Sequence, residues 1–345
     1  MTFAQKTKII NLAIGTILLF VGLLNPNYSV AQTSAIAPPG VNDQVSVKVS
    51  PEIPGPNEIV EIFIESFGAD FNKSYMTWKV NGEVKSEGAG INRFSFKNGP
   101  LGSKTTITVT AETSDGRVIE KKLIFEPASV NLLYEAQTYT PPFYKGKPLF
   151  TPQSTLKVVA MPEFIKINGD KIEPENLVYT WKKDGKVLQN QSGFGKQYAL
   201  IETNAITRPM YITLDVSAVG SSLKATQTIY VSPREPELLL YEDSLLYGTV
   251  WNRSLGSIFF LGKNSLRVKA EPYFFSTFGD GTNEMKYTWG MNSNIIDLPK
   301  NQNTVGLRNE TGDSGSASVT VIAEHNSKYV QSAEKRIVID YSEIQ

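Results

Sequence analysis

The amino-acid sequence predicts an all-β protein of three tandem antiparallel sandwiches that follow an N-terminal apolar segment. Three observations predict this fold. A stretch that contains Thr-Trp occurs three times, short segments alternate between apolar and polar residues, and Gly, Asn, Asp and Pro lie between those segments. Alternation with period two, rich in Thr, Val and Ile, is typical of half-buried strands. Many short strands separated by turn residues favour antiparallel sandwiches.

The N-terminus has the pattern of a secretory signal. Two lysines precede the apolar run Ile9–Leu24, and small residues follow at Ser29 and Ala31. We therefore expect residues 1–31 to be a signal peptide, with cleavage after Ala35 as a second possibility. An uncleaved membrane anchor is the alternative, although a spanning helix needs about 20 apolar residues. Either reading predicts an extracytoplasmic protein that meets the membrane only through this segment.

Long matching stretches show that the chain repeats itself. The tryptophan stretches are "YMTWKVNGEV", "YTWKKDGKVL" and "KYTWGMNSNI", around Trp78, Trp181 and Trp289. Upstream of the last two, "STLKVVAMPEF" (Ser154–Phe164) matches "NSLRVKAEPYF" (Asn264–Phe274), and "EIVEIFIESF" (Glu58–Phe67) fills the same place in the first copy. Such a period indicates repeated domains.

Proline-containing stretches mark the ends of the copies, at "FEPAS" and "SPREPE". The predicted domains are therefore residues 44–127, 128–233 and 234–342, after a flexible lead at 32–43. Because the linkers are short and proline is stiff, we expect the domains to stack end to end rather than to swing freely.

The spacing around each tryptophan predicts a buried strand. An apolar residue lies two positions before it (Met76, Tyr179 or Tyr287), so the two side chains share a face. The predicted core is therefore Trp78, Trp181 and Trp289 with Tyr179 and Tyr287. "YTWKKDGKVL" with "SGFGKQYALIE" resembles the central strands of bacterial immunoglobulin-like domains, including the PKD (polycystic kidney disease) kind. The resemblance implies the sandwich fold. It departs from antibody domains in lacking cysteine and from PKD domains in the place of the "FGDG" turn.

Composition excludes several classes of function. Lys plus Arg and Asp plus Glu number 34 each, so there is no basic field to hold nucleic acid. The absence of cysteine excludes disulfides, thiolate nucleophiles and cysteine zinc sites. His325 is the only histidine, which rules out a multi-histidine metal site, and "AEHNSKYV" predicts that it lies in a turn. We expect no enzymatic activity, no cofactor and no metal site.

Three groups of charged residues have compositions that could suggest a chemical site. These are Asp280 with Glu284, as a calcium loop, Glu173 and Glu175 with Asp170, as an acid–base pair, and Lys182 with Lys183. We interpret each group as solvated surface instead. Calcium needs six to eight oxygen ligands, and Gly-Asp-Gly is a good turn by itself. A glycosidase pair needs a cleft. Lysines on an edge discourage strand addition.

Two aromatic insertions between the first and second strands are the most distinctive material outside the predicted cores. The first aromatic insertion is "AQTYTPPFYKGKPLF" (136–150), and the second is "DSLLYGTVWNRSLGSIFF" (243–260). The candidate interaction residues in them are Tyr139, Phe143, Tyr144, Tyr247 and Trp251. Aromatic clusters outside a core often form interfaces. We expect docking between neighbouring domains, with a site for an outside partner as the alternative.

These observations predict a non-catalytic exported envelope protein that acts as a semi-rigid scaffold or adhesion module. Its expected partners are envelope proteins or a surface glycan. One alternative is a carbohydrate-binding or carbohydrate-active protein that uses Tyr247 and Trp251 as a stacking platform. The other is an accessory component of a pilus or secretion machine.

Overall fold

A computed structural model describes residues 45–261, 265–277, 284–310 and 313–341. The predicted signal peptide, the flexible lead and Asp280 lie outside the described residues. No helix within those ranges is long and apolar enough to cross a membrane.

The first sandwich is formed by β1 (Val45–Ser50), β2 (Ile59–Ser66), β3 (Tyr75–Val80), β4 (Glu83–Ala89), β5 (Arg93–Lys97), β6 (Thr105–Glu112) and β7 (Val118–Phe125). One sheet has the order β1-β2-β5 and the other β4-β3-β6-β7, with every pairing antiparallel. The sheets enclose a core drawn from residues 45–125.

The second sandwich is formed by β8 (Ser129–Ala136), β9 (Thr155–Glu163), β10 (Leu177–Lys183), β11 (Lys186–Val187), β12 (Gly193–Phe194), β13 (Tyr198–Glu202), β14 (Met210–Ala218) and β15 (Lys224–Val231). Its sheets have the orders β13-β9-β8 and β11-β10-β14-β15, and β12 also pairs with β10. Short 3-10 turns occur at Pro174–Asn176 and Gln189–Gln191. The core is drawn from residues 128–231.

The third sandwich is formed by β16 (Glu237–Ser244), β17 (Gly248–Thr249), β18 (Ile258–Phe260), β19 (Ser265–Tyr273), β20 (Met285–Met291), β21 (Asn294–Ile295), β22 (Thr304–Arg308), β23 (Ser316–His325) and β24 (Ser332–Asp340). Its sheets have the orders β17-β16-β19-β22 and β18-β24-β23-β20-β21. The core is drawn from residues 238–341. The prediction of three tandem antiparallel sandwiches of the immunoglobulin-like type is confirmed.

The repeated tryptophans lie on β3, β10 and β20, and each side chain is buried in the core between the two sheets of its domain. Trp78, Trp181 and Trp289 are at most 1% exposed. Each indole N–H donates to a main-chain carbonyl oxygen: Trp78 to Ile91 at 2.7 Å, Trp181 to Lys196 at 2.9 Å and Trp289 to Gln302 at 2.9 Å. The same bond in all three copies satisfies the one polar atom that burial would leave without a partner.

Tyr179 and Tyr287 share the face of their tryptophans and are buried with them. The Tyr179 hydroxyl donates to the carbonyl of Pro174 at 2.8 Å, and burial raises the pKa of Tyr179 to about 12. Burial likewise raises the pKa of Tyr287. These phenols are therefore neutral core groups.

The turn after each tryptophan strand has two consecutive residues with positive φ. These are Asn81-Gly82, Asp184-Gly185 and Asn292-Ser293. This is the backbone of a two-residue hairpin, in which Asn, Asp and Gly are the favoured residues. The Asp184 carboxylate also accepts the amide of Tyr211 at 2.9 Å. Asp184 and Gly185 are thus explained by the hairpin.

Candidate functional site

The first aromatic insertion crosses from the second sandwich to the third and pairs with its backbone. The Tyr139 amide donates to the carbonyl of Phe275 at 2.7 Å, and the Tyr139 carbonyl accepts from the amide of Phe274 at 2.7 Å. Thr138 and Ser276 form an antiparallel bridge beside them. Reciprocal bonds of this kind join neighbouring strands of a sheet. The second and third domains are therefore connected by main-chain hydrogen bonds in addition to their linker.

A phenol–carboxylate pair, in which the carboxylate is buried, lies next to this backbone contact. The Tyr139 hydroxyl donates to Oε1 of Glu271 at 2.5 Å, and Glu271 is 2% exposed. The other carboxylate oxygen makes no hydrogen bond but lies 3.3 Å from the Lys269 ammonium. Burial and the hydrogen bond to Glu271 raise the pKa of Tyr139, so its hydroxyl remains a proton donor. The lysine partly offsets the cost of burying the carboxylate charge.

An aromatic cluster surrounds that pair and is separate from the three sandwich cores. Its buried members are Tyr241, Tyr273 and Phe274, and Leu149 of the first aromatic insertion packs against them. The ring of Tyr144 lies edge-on to Tyr273 at 5.8 Å and to Phe274 at 5.7 Å. Edge-to-face contacts at such distances stabilise beyond the area they bury. We call this region, with the Tyr139 contacts, the joint.

Gln331 also connects the two domains. It is 1% exposed, accepts from the amide of Ser276 at 2.7 Å and donates to the carbonyl of Pro152 at 2.6 Å. The Thr151 hydroxyl donates to the carbonyl of Phe274 at 2.9 Å. Side chains of both domains thus satisfy main-chain groups that the joint buries.

The first and second domains contact each other through an isolated bridge, a side-chain hydrogen bond and a glycine–isoleucine contact. Pro127 forms an isolated bridge with Lys224, and the Ser222 hydroxyl donates to the Glu126 carboxylate. Gly102 lies against Ile165, where a Cβ would come to 3.0 Å of that side chain. The first copy has no aromatic insertion, so it contributes no counterpart of the joint.

The candidate interaction residues divide between the joint and open solvent. Tyr139 and Tyr144 lie in the joint. Trp251 packs on Tyr241, with ring centroids 5.2 Å apart, and the Lys269 ammonium lies 4.9 Å from its ring. Phe143 is 82% exposed and Tyr247 is 86% exposed. Sequence reasoning missed Glu271, in β19, and Gln331, just before β24, because neither a buried acid nor a buried amide has a distinctive local pattern.

The prediction that His325 lies in a turn is wrong. His325 is the last residue of β23 and its ring is fully buried. Nδ1 accepts the amides of Ser327 and Lys328 at 3.1 and 3.2 Å, and Nε2 lies 2.9 Å from the Glu284 carboxylate. The ring folds inward because it satisfies the amides of the following turn. Burial lowers the pKa of His325, although the Glu284 carboxylate opposes the shift.

This arrangement places a hydroxyl, an imidazole and a carboxylate in a row without making a catalytic triad. The Ser327 hydroxyl is 3.4 Å from Nδ1 of His325. That nitrogen has one lone pair, which two amide donors already share, so it is not free to take a proton from the serine.

The remaining charged candidates lie at the surface. Glu173 and Glu175 are exposed around a 3-10 turn. Lys182 forms an ion pair with Asp215 at 2.6 Å. Across the described part of the chain, no three acidic or histidine side chains are grouped so as to hold a metal ion.

Comparison with known proteins gives structural likeness only. No family model matches the chain, and no curated protein matches it in sequence. Among solved structures it is similar to three N-terminal domains of the outer capsid protein Hoc of bacteriophage RB49, at 10% identity and a TM-score of 0.27, covering 88% of this chain and 100% of that one. It is also similar to the central fibronectin-III array of RIM-binding protein, at 10% identity and a TM-score of 0.29, covering 87% and 97%.

A third similar structure is the Bacteroides ovatus protein SGBP-B, of a mixed-linkage glucan utilization locus, in complex with a mixed-linkage heptasaccharide. The identity is 10% and the TM-score 0.20, covering 88% of this chain and 71% of that one. Similarities at these scores carry no information on function.

Proposed function

We propose that this chain is an exported, non-catalytic envelope protein, of the bacterial immunoglobulin-like or PKD-like kind, whose second and third domains form one rigid support in a scaffold or interaction module. The observation that carries the proposal is the reciprocal backbone pairing of Tyr139 with Phe274 and Phe275. A contact between tandem domains is ordinarily small and polar, and the domains then move relative to one another. Buried aromatic rings and satisfied main-chain groups oppose such motion here.

Spin labels test the rigidity. The sequence has no cysteine, so labels attach only where one is introduced. Val187→Cys with Ile295→Cys spans the joint, and Val84→Cys with Val187→Cys spans the contact between the first and second domains; all three side chains are exposed. We expect a narrow distance distribution across the joint and a broader one across the other contact.

The matched control adds Tyr139→Ala and Gln331→Ala to the first pair, which should broaden its distribution. If the joint pair gives a distribution as broad before those changes as after them, the rigid support is refuted. Export is tested separately, by digesting intact and lysed cells with a protease. Accessibility of the second and third domains in intact cells, or after release of the outer envelope alone, supports export, and protection until lysis opposes it.

Carbohydrate binding is a second candidate, favoured by the exposed ring of Tyr247. Trp251 contributes less to a stacking platform, because Tyr241 and Lys269 already lie against it. Binding on a glycan array that Tyr247→Ala abolishes would favour this function. Binding that survives both Tyr247→Ala and Trp251→Ala would remove its basis.

A further inference from the structure

The two aromatic insertions begin at equivalent places, and sheet register shows which residues correspond. Leu132 pairs with Ala160 in the second domain, as Leu240 pairs with Ala270 in the third. Tyr139 comes seven residues after Leu132, and Tyr247 comes seven residues after Leu240. Tyr247 is therefore the counterpart of the tyrosine that binds the following domain through Glu271.

In the third domain this position lies at the exposed tip of a hairpin. β16 begins beside the joint and ends at Ser244, so the β16–β17 hairpin lies at the opposite end of the sandwich. Its tip is Leu245, Leu246 and Tyr247, each at least 85% exposed. The Ser244 hydroxyl accepts the amides of Leu246 and Tyr247 at 3.3 Å, which holds the tip in shape. We call these three residues the apolar tip.

The first domain has the complementary surface at its other end. Ile64 of β2 pairs with Val47 as Ala270 of β19 pairs with Leu240. One residue later come Glu65 and Glu271, so the carboxylate recurs in the first domain.

An aromatic residue lies two positions after each of these glutamates, Tyr273 in the third domain and Phe67 in the first. Tyr273 is 7% exposed because Tyr144 packs against it, whereas Phe67 is 86% exposed. Glu65 has a lysine partner, Lys48 at 3.0 Å, as Glu271 has Lys269. The surface that receives the joint in the third domain is thus present, with an uncovered aromatic ring, in the first.

We propose that this chain associates head to tail, with the apolar tip of one copy docked on Glu65 and Phe67 of the next. Tyr247 donates its phenol proton to Glu65, as Tyr139 does to Glu271, and Leu245 and Leu246 cover Phe67. Exposed apolar groups at a specific place are typical of an interaction surface. Because the two surfaces differ and lie on different domains, the contact is heterologous, and repeated association forms an open linear assembly. The inference rests on the proposed scaffold function and names its partner.

Cysteine pairs test the contact in the purified full chain. Chains with Leu245→Cys are mixed with chains with Gly68→Cys and oxidised with copper phenanthroline, so that Tyr247, Glu65 and Phe67 remain in place. The control pair is Tyr329→Cys with Gly68→Cys, since Tyr329 is 79% exposed on the third domain but lies near the joint. We expect at least roughly tenfold more mixed dimer from the first pair, the ratio that corresponds to ~1.4 kcal/mol of specific contact.

A third mixture adds Phe67→Asp to the Gly68→Cys chain and should reduce the mixed dimer to the level of the control. Equal yields from the first two mixtures overturn the proposal. The proposal is also overturned if a photo-crosslinker at residue 246 captures lipid or another protein in cells and never captures a second copy. Neither result changes the spin-label distances across the joint, so failure of head-to-tail association and failure of the rigid scaffold are distinguishable. Unchanged thermal unfolding of each variant shows that it is folded.

Discussion

The hydroxyl of Tyr139 donates a 2.5 Å hydrogen bond to the carboxylate of Glu271 in the next domain, and Glu271 is buried. This bond joins an insertion that the first copy lacks to a strand of a neighbouring sandwich. In the proposed function, it helps to hold two domains of a repeated chain as one mechanical unit.

Removal of the phenol oxygen should weaken the joint. In Tyr139→Phe the buried Glu271 carboxylate loses its hydrogen-bond donor, which costs about 1–3 kcal/mol. Calorimetry should show the second and third domains unfolding with less cooperativity than in the unmodified chain. Tyr247→Phe removes an exposed phenol of the equivalent position and should change stability by less than about 0.5 kcal/mol. Equal effects of the two substitutions would mean that the buried bond contributes nothing.

Replacement of Gln331 should act on the same unit. Gln331→Leu keeps the volume but leaves the Ser276 amide and the Pro152 carbonyl without partners, at about 1–3 kcal/mol for each. Because both side chains act on one joint, the loss in Tyr139→Phe with Gln331→Leu should differ from the sum of the single losses. Strict additivity in denaturant unfolding would indicate two independent sites.

The repeated tryptophans should each stabilise their own sandwich. Trp181→Ala removes a fully buried ring and should cost about 3–5 kcal/mol. Trp181→Phe keeps most of the volume and should cost less, about 1–3 kcal/mol, because the Lys196 carbonyl loses its donor. Fluorescence quenching by acrylamide checks the burial. Trp181 quenched as readily as free tryptophan would contradict the structure.

Stability should depend on pH through His325. Burial lowers its folded pKa below the ordinary 6.5 of the unfolded chain. The unfolded state therefore binds the proton more readily, and stability is full above 6.5 and is lost as pH falls through the folded pKa. The unfolding free energy is therefore measured from about pH 7.5 to 5, around the ordinary pKa of histidine. The slope of unfolding free energy against pH should flatten in His325→Gln; an unchanged slope would assign it to other groups.

Much of the fold follows from local pattern. The alternation around Trp78, Trp181 and Trp289 predicts buried strands, because side chains of a strand point to opposite faces. Register is harder to obtain. Alignment of the repeated stretches makes Phe67 the counterpart of Phe274. Strand pairing instead makes Phe67 the counterpart of Tyr273, because the side chains of Val60, Ile62 and Ile64 face the core. A shift of one residue reverses every side chain.

The site was predictable in part. Aromatic residues in the two insertions indicate an interface, and Tyr139 and Tyr144 lie in one. Glu271, which accepts the phenol proton of Tyr139, and Gln331, which bonds Ser276 and Pro152, are not visible as site residues in the sequence, because their partners lie far away along the chain. His325 illustrates the same limit, since a polar stretch predicts a turn but not which side chain folds back over its amides.

Hydrogen exchange at the amides of Tyr139 and Phe274 tests the rigid joint most directly. Each amide donates across the domain boundary, and an amide exchanges only when its bond opens. We predict that both are protected as strongly as the amides of β23 in the core of the third domain, and that Tyr139→Ala removes the protection at Phe274 while β23 remains protected. Exchange of Tyr139 and Phe274 in the unmodified chain at the rate of solvent-exposed amides would contradict a rigid joint.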